Sequence, residues 1–204
     1  MLEKYKDDER INIIAGQNTL ETFESDEEAD YFFTTICSIW GWASWRRVVE
    51  KWTDKYQFLN NSKVCENLKM LEHTNIKNVL KAAQNHKKIG KAYYETILAS
   101  DMFLNHRLNI VPTKNLISNI GIAETSTHST NDIRKLPHGI RRVFNMKTYS
   151  YDFPIKHPKH IYENALYAKK VKRIMGWGHP WVCRYRGLEV KILKLLYLFR
   201  KGKV

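Results

Sequence analysis

A chain of 204 residues with 43% hydrophobic content is long enough for one ordinary domain with a real core. It has no run of about 18 apolar residues and no apolar leader-like stretch in residues 1–10, so a bilayer-spanning helix and a signal peptide are excluded as readings. The net charge of +13 is held by residues 141–204, where 16 Lys/Arg face only Asp152, Glu163 and Glu189, which points to an anionic partner surface.

In chain order, residues 1–10 are short, charged and helix-compatible. The β-branched run Ile11–Ala15 predicts a buried strand, broken by Gly16, Gln17 and Asn18. Residues 19–30 are polar and acidic and predict a loop. Residues 31–36 predict a second strand, running into a cluster of four tryptophans, Trp40, Trp42, Trp45 and Trp52. Gly41 stands inside that cluster, where the backbone must turn tightly or admit something close. Two readings remain open for it: a core knot, or a backbone-lined binding loop opening a helix. Trp45, Val48, Val49 and Trp52 recur at helical spacing, so 45–55 predicts a helix with Arg46 and Arg47 near its start.

Residues 56–90 predict one or two modest helices, with Val79, Leu80 and Ala83 inward. Residues 91–105 predict a better one, carrying Tyr94, Ile97, Leu98 and Met102 on its apolar side. Leu108–Pro112 predicts a short strand stopped by proline. Residues 116–120 lead to Gly121 and a hydroxyl-rich turn around His128. Prolines make 137–160 and 176–182 mostly irregular. Residues 188–200 predict an amphipathic stretch with Leu188, Ile192, Leu195, Leu196 and Phe199 on one side and Lys191 and Lys194 apart from them.

Two residues invite chemistry. Glu95 sits near the start of a helix that otherwise buries its side chains. A carboxylate in partly apolar surroundings suits a general base, while an exposed first-turn glutamate is the plainer alternative. His128 among Thr and Ser hydroxyls could meet a metal or a phosphate, or simply face water. Asp101, on the face of Tyr94, reads as a buried, satisfied acid. His138, His157, His160 and His179 lack paired ligand spacing. Cys37, Cys65 and Cys183 are scattered, which argues against a disulfide framework or zinc site and for a reduced, cytoplasmic setting. No dinucleotide, Walker, zinc-protease or nucleophile-elbow signature is present.

Three strings occur in a distinctive order: Ile39-Trp40-Gly41-Trp42-Ala43-Ser44-Trp45-Arg46-Arg47, then Tyr94-Glu95, then Asn115-Leu116-Ile117-Ser118-Asn119-Ile120-Gly121 with Ser126-Thr127-His128. Together they resemble the C-terminal half of bacterial glycosyltransferases of the GT-A fold, family 2-like, over roughly residues 3–160. The resemblance implies an α/β class: an incomplete GT-A (nucleotide-diphospho-sugar transferase) fold, with a mixed sheet flanked by helices. Residues 1–140 would be the acceptor-side half and 141–204 a basic, largely helical extension.

It further implies transfer of a sugar from a nucleotide-sugar donor to a glycan or lipid-linked acceptor in surface polysaccharide synthesis. Glu95 would be the base acting on the acceptor hydroxyl, at a position where the family often carries Asp. Trp40, Gly41, Trp42, Trp45 and Arg46 would line the substrate pocket, and His128 would meet the metal or phosphate. A divalent cation, Mg²⁺ or Mn²⁺, is implied for the whole enzyme. The family's Asp-x-Asp precedes the matched region, and this chain has none. The expectation is therefore a truncated, inactive protein, or one completed by a partner chain supplying the nucleotide-binding half. The contrasting reading is a non-catalytic basic module. Residues 188–201 would then lie on an anionic membrane surface, at the inner face of the plasma membrane. Nucleic acid is disfavoured because aromatic and basic residues are not interleaved.

Overall fold

The computed structural model describes residues 1–25, 27–36, 38–52, 55–71, 75–120, 133 and 136–201. Its elements form an α/β arrangement around a four-stranded mixed sheet. Strands β1 (Ile11–Ala15), β2 (Tyr31–Thr34), β3 (Trp42–Ala43) and β4 (Leu108–Pro112) lie in the order β2-β4-β1-β3. β1 and β4 are parallel, and β2 and β3 are antiparallel edges. The central pair is buried on both sides, which explains why β1 reads as a continuous apolar run rather than an alternation. Its one polar side chain that is fully buried, Asn12, donates to Asn109 Oδ1 of β4 at 3.0 Å, so two asparagines share the cost of burial.

The helices are α1 (Arg46–Val49), α2 (Ser62–Met70), α3 (Ile76–Lys88), α4 (Tyr94–Leu104), α5 (His138–Arg141), α6 (Ala165–Met175) and α7 (Pro180–Lys201). On one sheet face, Ala15, Phe32 and Val111 pack with Phe23, Ile36 and the α6 residues Tyr167, Ala168 and Val171. On the other, Ile11, Tyr31, Phe33 and Ile110 pack with Tyr5. Residues after 140 thus contribute to the central core. A third cluster joins α2, α3 and α4 through Leu68, Ile76, Leu80, Met102 and Phe103. Among the described residues, no helix is long and apolar enough to cross a membrane.

Three expectations need correction. The helix expected over 45–55 is one turn, α1, within which Arg47 donates to the carbonyls of Tyr5, Lys6 and Ile11. Residues 2–7 form turns rather than a regular helix. Residues 176–182 are only partly irregular, since Pro180 occupies the first turn of α7, where its missing N–H costs nothing. Helix α6 falls in the extension expected to be largely helical, although its bounds were not foreseen. Its signals are local: Asn164 caps the start by accepting the Tyr167 N–H at 2.9 Å, and Gly176 ends it at φ 78°.

Candidate functional site

A cavity of about 430 Å³ opens between the sheet's end, α4 and α6. Its wall comes from seven separate parts of the chain: Gln17 and Thr19 after β1, Thr35, Ile36, Ser38, Ile39 and Trp40 after β2, Asn75 before α3, Glu95, Leu98 and Met102 of α4, Asn109 of β4, Val143, and Val171, Met175 and Trp177 at the end of α6 and beyond. The lining is largely aromatic and aliphatic. Glu95 is its single charged side chain among the described residues. This is the usual composition of a small-ligand site, an apolar slot with a few orienting polar groups.

The polar rim is fixed by the fold. Gln17 donates to the Val143 carbonyl at 3.2 Å. Thr19 donates its N–H to the Tyr167 hydroxyl at 3.1 Å, which ties the rim to α6. Thr35 donates its hydroxyl to Glu163. Glu95 is half-buried in the first turn of α4, where the helix dipole favours a negative charge. It makes no hydrogen bond or ion pair to another described residue, so its carboxylate remains available to a ligand.

The tryptophans divide by role. Trp40 lines the cavity, and its ring lies 5.2 Å from that of Phe144. Trp42 turns away into an aromatic stack with Tyr94 at 6.2 Å and Trp52 at 5.9 Å. It therefore stands behind α4's first turn and helps set the position of Glu95. Trp45 donates its indole N–H to the Leu2 carbonyl at 2.9 Å and lies under the Arg47 guanidinium at 4.7 Å. Arg46 is exposed and sits 3.7 Å from Glu50. The structure thus brings Trp40 and Glu95 together and places Trp42, Trp45 and Arg46 outside the cavity wall. His128, with Gly121, Ser126 and Thr127, lies outside the described residues.

Gly41 is required by conformation and by crowding. Its φ is +58°, and a Cβ there would meet Ile117 side-chain atoms at 2.9 Å. Its carbonyl accepts the Gly16 N–H at 2.7 Å, which binds the tryptophan loop to the end of β1. Ile117 fills the space that a ligand would need beside this glycine, so Gly41 acts as a hinge pin behind Trp40. Gly41→Ala is expected to cost about 1–3 kcal/mol, seen as a lower Tm in thermal melts; an unchanged Tm would refute the strain.

Sequence reasoning missed Trp177, Met175 and Val171, because they belong to α6 and the turn that follows it. It also missed Gln17 and Asn109, whose side-chain directions depend on strand order. The cation implied by the resemblance finds no fit among the described residues: they contain no group of three His, Cys, Asp or Glu that could hold a metal. No protein-family model, no curated protein and no solved structure matches the chain.

Proposed function

We propose that this chain is the acceptor-side half of a GT-A-type nucleotide-sugar transferase and that the cavity takes a sugar of the acceptor. The observation that carries the reading is the meeting of Trp40 and Glu95. They come from two of the motifs that resemble the transferases, and they line one cavity although far apart in sequence. An indole beside a carboxylate suits a sugar, whose C–H face packs on the ring while its hydroxyls bond the acid.

In the reaction proposed, Glu95 accepts the proton of an acceptor hydroxyl as that oxygen forms a bond to the donor's anomeric carbon. The bond from that carbon to the nucleoside diphosphate breaks, and the diphosphate leaves with the electron pair. The described residues provide Glu95 for proton removal and Trp40 and Trp177 for orientation. A metal ligand set is not among them, so no step is assigned to a cation.

The test is binding to a panel of immobilised glycans by the 204-residue chain. Retention of a subset is expected, weakened about tenfold or more in Trp40→Ala and in Glu95→Gln. Calorimetry with UDP, GDP or dTDP plus Mn²⁺ is expected to show no micromolar binding. Absence of glycan retention, or retention unaffected by both substitutions, would overturn the acceptor assignment. Micromolar nucleotide binding would overturn its restriction to the acceptor side.

A further inference from the structure

Helix α7 has two unlike sides. One holds it to the body of the protein: Arg186 donates to the Ile174 carbonyl, the Cys183 thiol donates to Gly176 at 3.3 Å, and Glu189 accepts the His138 N–H at 2.8 Å. At 100° per residue, Trp181, Tyr185, Leu188, Ile192, Leu195 and Phe199 share the opposite side. All six face water, with exposures of 48–76%. Arg184 and Lys191 border one edge of this stripe, both exposed, and Lys194 follows beyond them. The helix is 22 residues long, so the stripe runs about 30 Å.

We infer that this stripe is a docking surface for an anionic lipid bilayer, with α7 lying in the plane of the headgroups. An apolar side carrying Trp, Tyr and Phe, edged by Lys and Arg and held outward by the other side's contacts, matches what such an interface takes up. Charge complementarity selects the occupant. Residues 141–204 carry 16 basic residues against three acidic ones, and the single acid of α7, Glu189, already serves the His138 N–H. A second copy seated antiparallel on the stripe would set Arg184 and Lys191 against their own kind, and in a parallel pair the acid facing them, Glu189, is already engaged by the His138 N–H. Nucleic acid would find leucine and isoleucine where phosphates need donors. The inference stands apart from the sugar site, since none of the six side chains lines the cavity.

The experiment is co-sedimentation of the full chain with phosphatidylcholine vesicles, with and without phosphatidylglycerol, beside sedimentation velocity without lipid. Binding to the anionic vesicles is expected to exceed that to neutral ones by about tenfold or more and to weaken at high salt. Leu188→Asp with Ile192→Asp should cut it roughly a hundredfold at unchanged circular dichroism. Arg184→Glu with Lys191→Glu should remove the anionic preference, a second test that leaves the apolar stripe intact. No binding to anionic vesicles, equal binding to neutral ones, or binding indifferent to both double variants would overturn the inference. So would a lipid-free dimer that the aspartate variant dissociates.

Discussion

Arg107→Met is expected to destabilise the fold by about 3–5 kcal/mol, the cost of leaving a buried charge without its partner. The Arg107 side chain is only 2% exposed. It donates to Asp101 Oδ2 at 2.7 Å, to the Glu9 carbonyl at 3.1 Å and to the Glu9 carboxylate at 3.2 Å. One guanidinium therefore joins the end of α4, the start of β4 and the chain entering β1. Burial pushes the Asp101 carboxyl above its ordinary range, against the pull of Arg107. A carboxyl raised in the folded state favours folding when protonated, and this contribution fades as pH rises through the folded pKa. Removing Arg107 raises the carboxyl further. The deficit of the variant should thus be greatest at neutral pH and shrink on acidification, where Asp101 takes up a proton. Urea melts at several pH values read this directly; a deficit independent of pH would refute it. Asp101→Leu added to Arg107→Met should recover much of the loss, because no lone charge then remains.

The second large effect is expected at Asn115. This side chain is fully buried and spans three segments. It accepts the Asn18 N–H at 3.0 Å and donates to the carbonyls of Ile117 at 2.6 Å and Lys147 at 2.8 Å. Asn115→Ala orphans these groups at about 1–3 kcal/mol each for those left without water, or roughly 3 kcal/mol or more in total. For a chain of this size that is a fall in Tm on the order of 6–12 °C. The same change releases the turn that carries Gln17 and Thr19. Glycan retention should therefore fall even at temperatures where the variant remains folded. A melt within about 2 °C of the parent would refute the bridging role.

The distinction between what sequence shows and what it hides is clear in these two residues. Asp101 reads as a buried acid from its spacing with Tyr94, and it is buried, but Tyr94 itself is exposed, so the spacing that places Asp101 inward is the one it shares with Ile97 and Leu98. Its partner Arg107 cannot be read in this way, since it follows the helix in a turn with no periodicity. The strands β1, β2 and β4 were legible because buried β-branched and aromatic runs bounded by breakers have few alternatives. Their order was not, since it depends on crossovers of many residues. Glu95 was legible as an acid at a helix start, with an apolar setting and an exposed first turn both open, and Trp40 as part of a cluster. That Trp40 faces the cavity while Trp42 stacks on Tyr94 and Trp45 caps the Leu2 carbonyl follows from the left-handed turn at Gly41. That turn sends neighbouring indoles to different places. Helix α6 carried both a cap and a stop in its sequence, yet its lysines masked an apolar side of only Tyr167, Ala168 and Val171.

The wall of the cavity runs from Gln17 to Trp177. No local piece of chain can form it, and every pairing that closes it spans a long loop, so it arises late on the path from the unfolded chain. Ligand retention is then a gauge of complete folding. A population with native helices but an unclosed sheet would have an ordinary far-ultraviolet spectrum and an empty binding curve. Refolding followed by the two signals should show the helical signal returning first.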